Sequence, residues 1–158
     1  MRYYCHDIRR QDRLLDESRA RELLLLGGYG VLSMATAQGG YGVPINYVLV
    51  EDTIYLHCAP EGRKLRALSV DEHVSFCVVG HSRVVSEHFT TEFESVIAQG
   101  SARGVESDDE RRMALRAIVE NYSAEHIEEG LKAIERSLHR TAVIAIKVES
   151  FSGKVKTM

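Results

Sequence analysis

The sequence predicts a mainly β, α+β protein: an antiparallel barrel with helices at its periphery. Three observations lead there. Apolar residues recur with a period of two in several runs. Successive runs are joined by short polar or glycine turns, as in hairpins. Helical patterns fall at the start and between the last two strands, which disfavours an alternating parallel βαβ sheet.

In chain order, residues 1–15 are polar and charged and are expected to lie loosely over the body. Asp16 caps a helix through about Leu26, with Leu23 to Leu26 as its apolar face and Gly27-Gly28 as its end. Tyr29 to Thr36 reads as a strand, with Val31, Ser33 and Ala35 on one face and Leu32, Met34 and Thr36 on the other. Gln38-Gly39-Gly40 turns the chain back. Val43 to Val50 is the second strand, with Asn46 as its strongly polar residue. Glu51-Asp52-Thr53 makes a hairpin turn into a strand from Thr53 to Ala59.

Pro60-Glu61-Gly62 ends that strand, and Arg63 to Leu68 is a short helix with two cations at its start. Such a junction suits a phosphate, because free backbone N–H groups and cationic side chains meet there. An ordinary basic surface helix gives the same pattern. His73 to Gly80 is a strand, residues 81–90 a longer connection, and Thr91 to Val105 a long strand with Gly100 and Gly104 as bulges or bends. Ser107-Asp108-Asp109-Glu110 is a capping box opening a helix through about Tyr122. Ser123 caps a second helix through about Leu138. Thr141 to Val148 is the last of six strands, and a polar tail begins at Phe151.

Composition narrows the function classes. The 158 residues suffice for one domain, 1–158, with a real core. A net charge of −3 gives no field for nucleic acid. The apolar run at Leu23 to Leu26 is too short to span a membrane, and Met1 to Asp7 shows no leader pattern. Cys5, Cys58 and Cys77 form neither a metal pattern nor an even disulfide set, so reduced thiols in a cytoplasm and no metal are expected.

Several segments together carry a family resemblance. They are the Gly-Gly-x-Gly strand entry, Val43-Pro44-Ile45-Asn46-Tyr47, Ile54-Tyr55-Leu56-His57 and Glu61-Gly62-Arg63-Lys64-Leu65. Phe93-x-Ser95-Val96-Ile97 and Phe151-Ser152-Gly153-Lys154 extend it over roughly residues 8–156. The chain resembles the FMN-binding split-barrel proteins of the pyridoxamine 5′-phosphate oxidase-like group, and within it the Nim-type nitroimidazole resistance branch. The resemblance implies a six-stranded antiparallel split β-barrel and a homodimer with FMN in two clefts between subunits. It places Arg63 and Lys64 on the FMN phosphate. Pro44, Ile45, Asn46 and Tyr47 would lie along the ring and ribityl chain. His57, Cys58 and Ala59 would sit at the strand end beside phosphate and ring. Ser95, Val96 and Ile97 would approach the flavin from the long strand, from the partner subunit. The oxidase proper carries a vitamin-phosphate site and a C-terminal Arg-containing segment, and this sequence lacks both.

Two function classes follow. One is an FMN-dependent oxidoreductase reducing a small organic acceptor such as a nitroaromatic, with His57 supplying protons. The other is a flavin-binding carrier or redox-sensing module without a dedicated substrate, in which His57 makes a structural hydrogen bond only. The deazaflavin F420 is a third occupant for the same barrel. No GxGxxG segment is present to hold a nicotinamide nucleotide in the Rossmann manner.

Overall fold

The computed structural model describes residues 1–158. Its strands are β1 (Arg2–Tyr3), β2 (Gly30–Thr36), β3 (Gly39–Ile45), β4 (Val48–Val50), β5 (Thr53–Cys58), β6 (His73–Val85), β7 (Thr90–Gly104) and β8 (Ala142–Lys156). Its α-helices are α1 (Glu17–Leu26), α2 (Arg63–Leu68), α3 (Asp108–Tyr122) and α4 (Ile127–Ser137). The strands form one sheet in the order β3-β2-β6-β7-β8-β5-β4, antiparallel throughout, with β1 added parallel to β8. The strand count is therefore eight rather than six.

Four departures from the expected elements stand out; the first two add the extra strands, and the last two lengthen expected ones. Residues 1–15 are not loose: Tyr3 pairs with Phe151 on β8, its ring lies 5.3 Å from the Phe151 ring, and Leu15 is buried. The expected strand Val43 to Val50 is two strands, broken at Asn46-Tyr47. The expected connection at 81–90 continues β6 and β7 as one hairpin, from Ser82↔Phe93 to Val85↔Thr90. The expected polar tail is the second half of β8, paired with β7 as far as Lys156. At β1, at the Asn46-Tyr47 crossing and at the end of β8, partners distant in sequence supply the hydrogen bonds, and local pattern does not report them.

The break at Asn46-Tyr47 shapes the barrel. β3 and β4 are the two edges of the sheet and do not pair, so the barrel is split between them. Two residues carry the chain from one edge to the other. Pro44 falls on β3, where an edge strand tolerates its missing N–H.

Two apolar clusters fill the two sides of the sheet. Inside the barrel, Leu32, Phe76, Ile54, Leu56, Val78, Val96, Ile144 and Ile146 pack with Leu23 and Leu24 of α1. Outside, Tyr55, Val143 and Ala145 are covered by Ala114, Leu115 and Ile118 of α3 and Ile134 of α4. Leu32 and Met34 take the inner face of β2, as its alternation requires.

The helix starts follow capping chemistry. The Asp16 carboxylate accepts from the backbone N–H groups of Ser18 (2.8 Å) and Arg19 (3.4 Å). Ser107 accepts from the N–H of Glu110 at 3.4 Å. Glu110 does not return the capping-box bond. Its carboxylate instead receives the Tyr55 hydroxyl at 2.9 Å and the Arg103 guanidinium at 2.6 Å, tying α3 to the sheet. Arg103 holds that carboxyl below its usual range, with Tyr55 adding to the effect. Burial, then the Glu110 partner, pushes the Tyr55 phenol up to about 12. Ser123 does not cap α4; a 3₁₀ turn at Ala124–His126 intervenes. The bulge between β7 and β8 falls at Gln99/Gly100, opposite Val148 and Ser150, so the extra residue is Glu149 on β8. Gly104 ends β7 without a bulge.

No helix is long and apolar enough to cross a membrane.

Candidate functional site

β5 ends at Cys58, and Gly62 turns the chain into α2 with a φ of 140°, in the region that favours glycine. The turn sets three cations on a six-residue helix, Arg63, Lys64 and Arg66. None of them takes part in any of the twelve ion pairs of the chain. Their positions send them to different sides. Lys64 reaches toward β5, where its ammonium lies beside the Cys58 thiol and near His57. The Arg63 guanidinium lies 4.2 Å from the centre of the Tyr41 ring on β3. A stacked guanidinium keeps its N–H edges free for an anion.

His57 is exposed on the outer face of β5, the face that Tyr55 shares. Crowding around the ring, then the Lys64 charge, lowers its pKa from the usual value. Both effects favour the neutral imidazole over the imidazolium. Cys58 faces inward and packs against the inner core. Burial pushes its thiol up, and Lys64 offsets only part of that. A protonated, half-buried thiol is a packing group rather than a nucleophile. Ala59 is exposed at the strand end.

On β3, Tyr41, Val43 and Ile45 pack against the inner core while Gly42 and Pro44 are exposed, as is Asn46 just past its end. Val43, Ile45 and Leu49 all pack inward, so this edge presents no open apolar stripe. Tyr47 is 1% exposed, its ring 4.8 Å from that of Phe76, and its hydroxyl donates to the Leu24 carbonyl. Its side chain is core, so only its backbone is available to a ligand. The Asn46 amide donates to the Gly28 carbonyl at 2.7 Å.

Sequence reasoning missed Tyr122, at the end of α3. Its hydroxyl accepts the Tyr47 N–H at 3.1 Å and faces the carbonyl oxygens of Tyr47 (2.7 Å) and Gly28 (2.8 Å). It holds the two-residue crossing over the split from 75 positions away in sequence, and no local signal marks it. Tyr122→Phe is expected to cost about 1–2 kcal/mol, since it leaves the buried Tyr47 amide unpaired. Amide exchange at Tyr47 should quicken with it; unchanged exchange would show that another group satisfies that N–H.

Ser95, Val96 and Ile97 do not join the α2 cluster. Val96 is fully buried inside the barrel. Ser95 and Ile97 face outward and line a separate cavity of about 290 Å³ with Asp7, Arg9 and Lys154. Beside them on β6 are Cys77 and Val79, paired with Ile97 and Ser95. Val79 is 57% and Ile97 47% exposed, so this face of the hairpin is apolar and open.

A family profile described as pyridoxamine 5′-phosphate oxidase matches residues 16–155, nearly the whole chain. The chain belongs to the pyridoxamine 5′-phosphate oxidase family. Among solved structures, a candidate 5-nitroimidazole antibiotic resistance protein from Bacteroides thetaiotaomicron is 24% identical, with a TM-score of 0.73 over 90% of this chain and 86% of that one. A conserved hypothetical protein from Mycobacterium tuberculosis is 16% identical, with a TM-score of 0.78 over 92% of this chain and 88% of that one. An FAD and heme binding protein from Mycobacterium smegmatis is 18% identical, with a TM-score of 0.75 over 90% of this chain and 72% of that one. At these identities the likeness is one of fold. No curated protein sequence matches the chain. The family and its solved relatives agree with the split barrel and peripheral helices read from the sequence.

Proposed function

We propose that this family member binds FMN and reduces a small organic acceptor such as a nitroaromatic. The carrying observation is the unpaired Arg63 and Lys64 at the end of β5, with His57 alongside. A phosphate dianion fits that pair, Arg63 as a two-pronged donor and Lys64 as a point charge. Open space beside Gly62, where an added Cβ would meet nothing within 4 Å, leaves room for the group. The fold likeness to a nitroimidazole resistance candidate and to an FAD and heme binding protein supports the same reading. A bound flavin would supply the electron transfer. The chain's own part is to hold the phosphate at α2, to line the ring with the exposed Pro44 and Asn46 edge, and to exchange protons at His57.

The unit that does this is a homodimer. The open apolar face of Cys77, Val79 and Ile97 suits a second copy, and Ser95 and Ile97 would then meet the flavin held at the partner's α2.

One feature favours the carrier reading instead: burial and the Lys64 charge lower the His57 pKa, which weakens it as a proton donor. With the phosphate offsetting Lys64, the His57 pKa should rise on flavin binding, and the two readings then part. The test loads the protein with FMN, confirms the flavin spectrum and the dimer by sedimentation, and follows anaerobic nitroimidazole reduction by the chemically reduced protein. His57→Gln should retain FMN and slow that step by roughly tenfold or more between pH 6 and 8. Equal rates would leave a carrier, and a monomer with stoichiometric FMN would remove the shared site.

A further inference from the structure

The cavity of about 290 Å³ on the outer face of β7 and β8 is walled on one side by Asp7 and Arg9, from the segment before α1. Its floor follows the register of the two strands: Ser95 stands beside Lys154, and Ile97 beside Ser152. Arg9 and Lys154 therefore converge on one space, and neither takes part in an ion pair. Arg10 and Asp12 stand two positions apart and close a pair, with Nε at 2.7 Å from the carboxylate. Asp7 and Arg9 have the same spacing and stay apart, both turned to the cavity. Glu94, next to Ser95 in sequence, is held by Arg19 at 2.7 Å. No carboxylate of the chain closes on either cation, so the lining is electrostatically complete only with an anion from outside.

Building on the flavin reading above, we infer that this cavity holds the carboxylate of the acceptor, so that the acceptor is a small organic acid with an apolar body. Arg9 offers a two-pronged edge and Lys154 a point charge, with the Ser95 and Ser152 hydroxyls as further donors in the same lining. Charge selects the anion. Against Asp7, the two cations leave one positive charge in the lining, which matches a carboxylate monoanion rather than a phosphate dianion. Size selects the body. Roughly 150 Å³ suffices for a benzene ring, so about 290 Å³ takes a benzoate-sized acid. Ile97, 47% exposed, supplies an apolar wall for it. In the dimer proposed above, Ile97 also meets the flavin held at the partner's α2. The acid group is then anchored on one subunit, and its reducible end is presented to the flavin of the other.

Calorimetry compares benzoate, the neutral benzamide and inorganic phosphate as ligands of the FMN-loaded protein. Benzoate is expected to bind roughly tenfold or more tighter than benzamide. Lys154→Gln and Arg9→Gln, the latter at an exposed position, should each remove most of that difference, and Arg9→Lys should keep part of it. The chemically reduced, FMN-loaded protein is then given 4-nitrobenzoate or 4-nitrobenzamide without oxygen. The nitro group takes two electrons from the reduced flavin and two protons, and yields a nitroso group and water. Half-saturation should come at a roughly tenfold lower concentration for the acid, and Lys154→Gln should erase that preference. The inference is overturned if benzamide binds as tightly as benzoate, or if phosphate binds more tightly than benzoate. It is overturned too if the variants weaken FMN but not riboflavin, because the cations then serve the flavin phosphate. Equal half-saturation by the two nitro compounds would remove the acceptor from this cavity while the flavin reading stands. Should no flavin bind at all, the flavin reading falls, and titration of the unloaded protein with benzoate still decides the acid site.

Discussion

With Arg63 and Lys64 both replaced by alanine, FMN affinity is expected to fall by at least two orders of magnitude, while riboflavin affinity stays as it was. Each charge-assisted contact to a phosphate is worth roughly 1.5–3 kcal/mol, so one loss costs about tenfold to a hundredfold and two cost more. Lys64→Ala alone should account for one such factor. Arg63→Ala adds the loss of the stack on Tyr41, worth about 0.5–1 kcal/mol at an exposed site. The folded state should tolerate both changes, since neither side chain has an ion partner to abandon and removing them relieves repulsion on a six-residue helix. Parallel titrations with FMN and riboflavin decide the matter. If riboflavin binds the unaltered protein as tightly as FMN does, the phosphate lies elsewhere.

Gly100→Ala is expected to be the most damaging single methyl group in the barrel. An added Cβ at Gly100 would lie 1.9 Å from the Lys147 carbonyl oxygen and 2.9 Å from its carbon. Both are backbone atoms of β8, beside the bulge, so no side-chain rotation can make room. Overpacking of side chains costs about 1–3 kcal/mol, and a backbone clash belongs at or beyond the top of that range. Against a typical total of about 5–15 kcal/mol, that is a large fraction. Gly104→Ala on the same strand is the control, because its Cβ would meet nothing within 4 Å and its shift should stay within about 0.5 kcal/mol. Urea unfolding of the two variants should separate them clearly. Equal midpoints would mean that β8 slides away from the new methyl without loss.

The parts of the fold written in local chemistry were legible in the sequence. Asp16 and Ser107 cap where their side chains can reach free N–H groups two or three residues on. The Glu51-Asp52 hairpin and the alternation of β2 are likewise local. The parts set by distant partners were not. β1 has only two residues and exists because β8 accepts it. The corner at Asn46-Tyr47 is fixed by Tyr122 and Gly28, neither of them near it in sequence. Residues 81–90 lose their alternation because that hairpin stands clear of the core. Phe89 at its tip is 98% exposed with a φ of 49°.

The candidate site divides the same way. Arg63 and Lys64 announce themselves by the glycine turn before them. The separation of Ser95 and Ile97 from α2 is a matter of topology.

β8 also dictates an order of events during synthesis. It pairs with β7 along one edge and with β5 and then β1 along the other, and each of those strands precedes it in the chain. Until residues 142–156 leave the ribosome, β5 has only the three-residue β4 beside it, and Ile54 and Leu56 lack Ile144 and Ile146 to close over them. The nascent chain therefore carries a bare strand edge through most of its elongation, a hazard for pairing with other chains. Closure joins Tyr3 to Phe151, about as non-local a contact as the chain allows, so the barrel assembles late and slowly, after translation of nearly all of it.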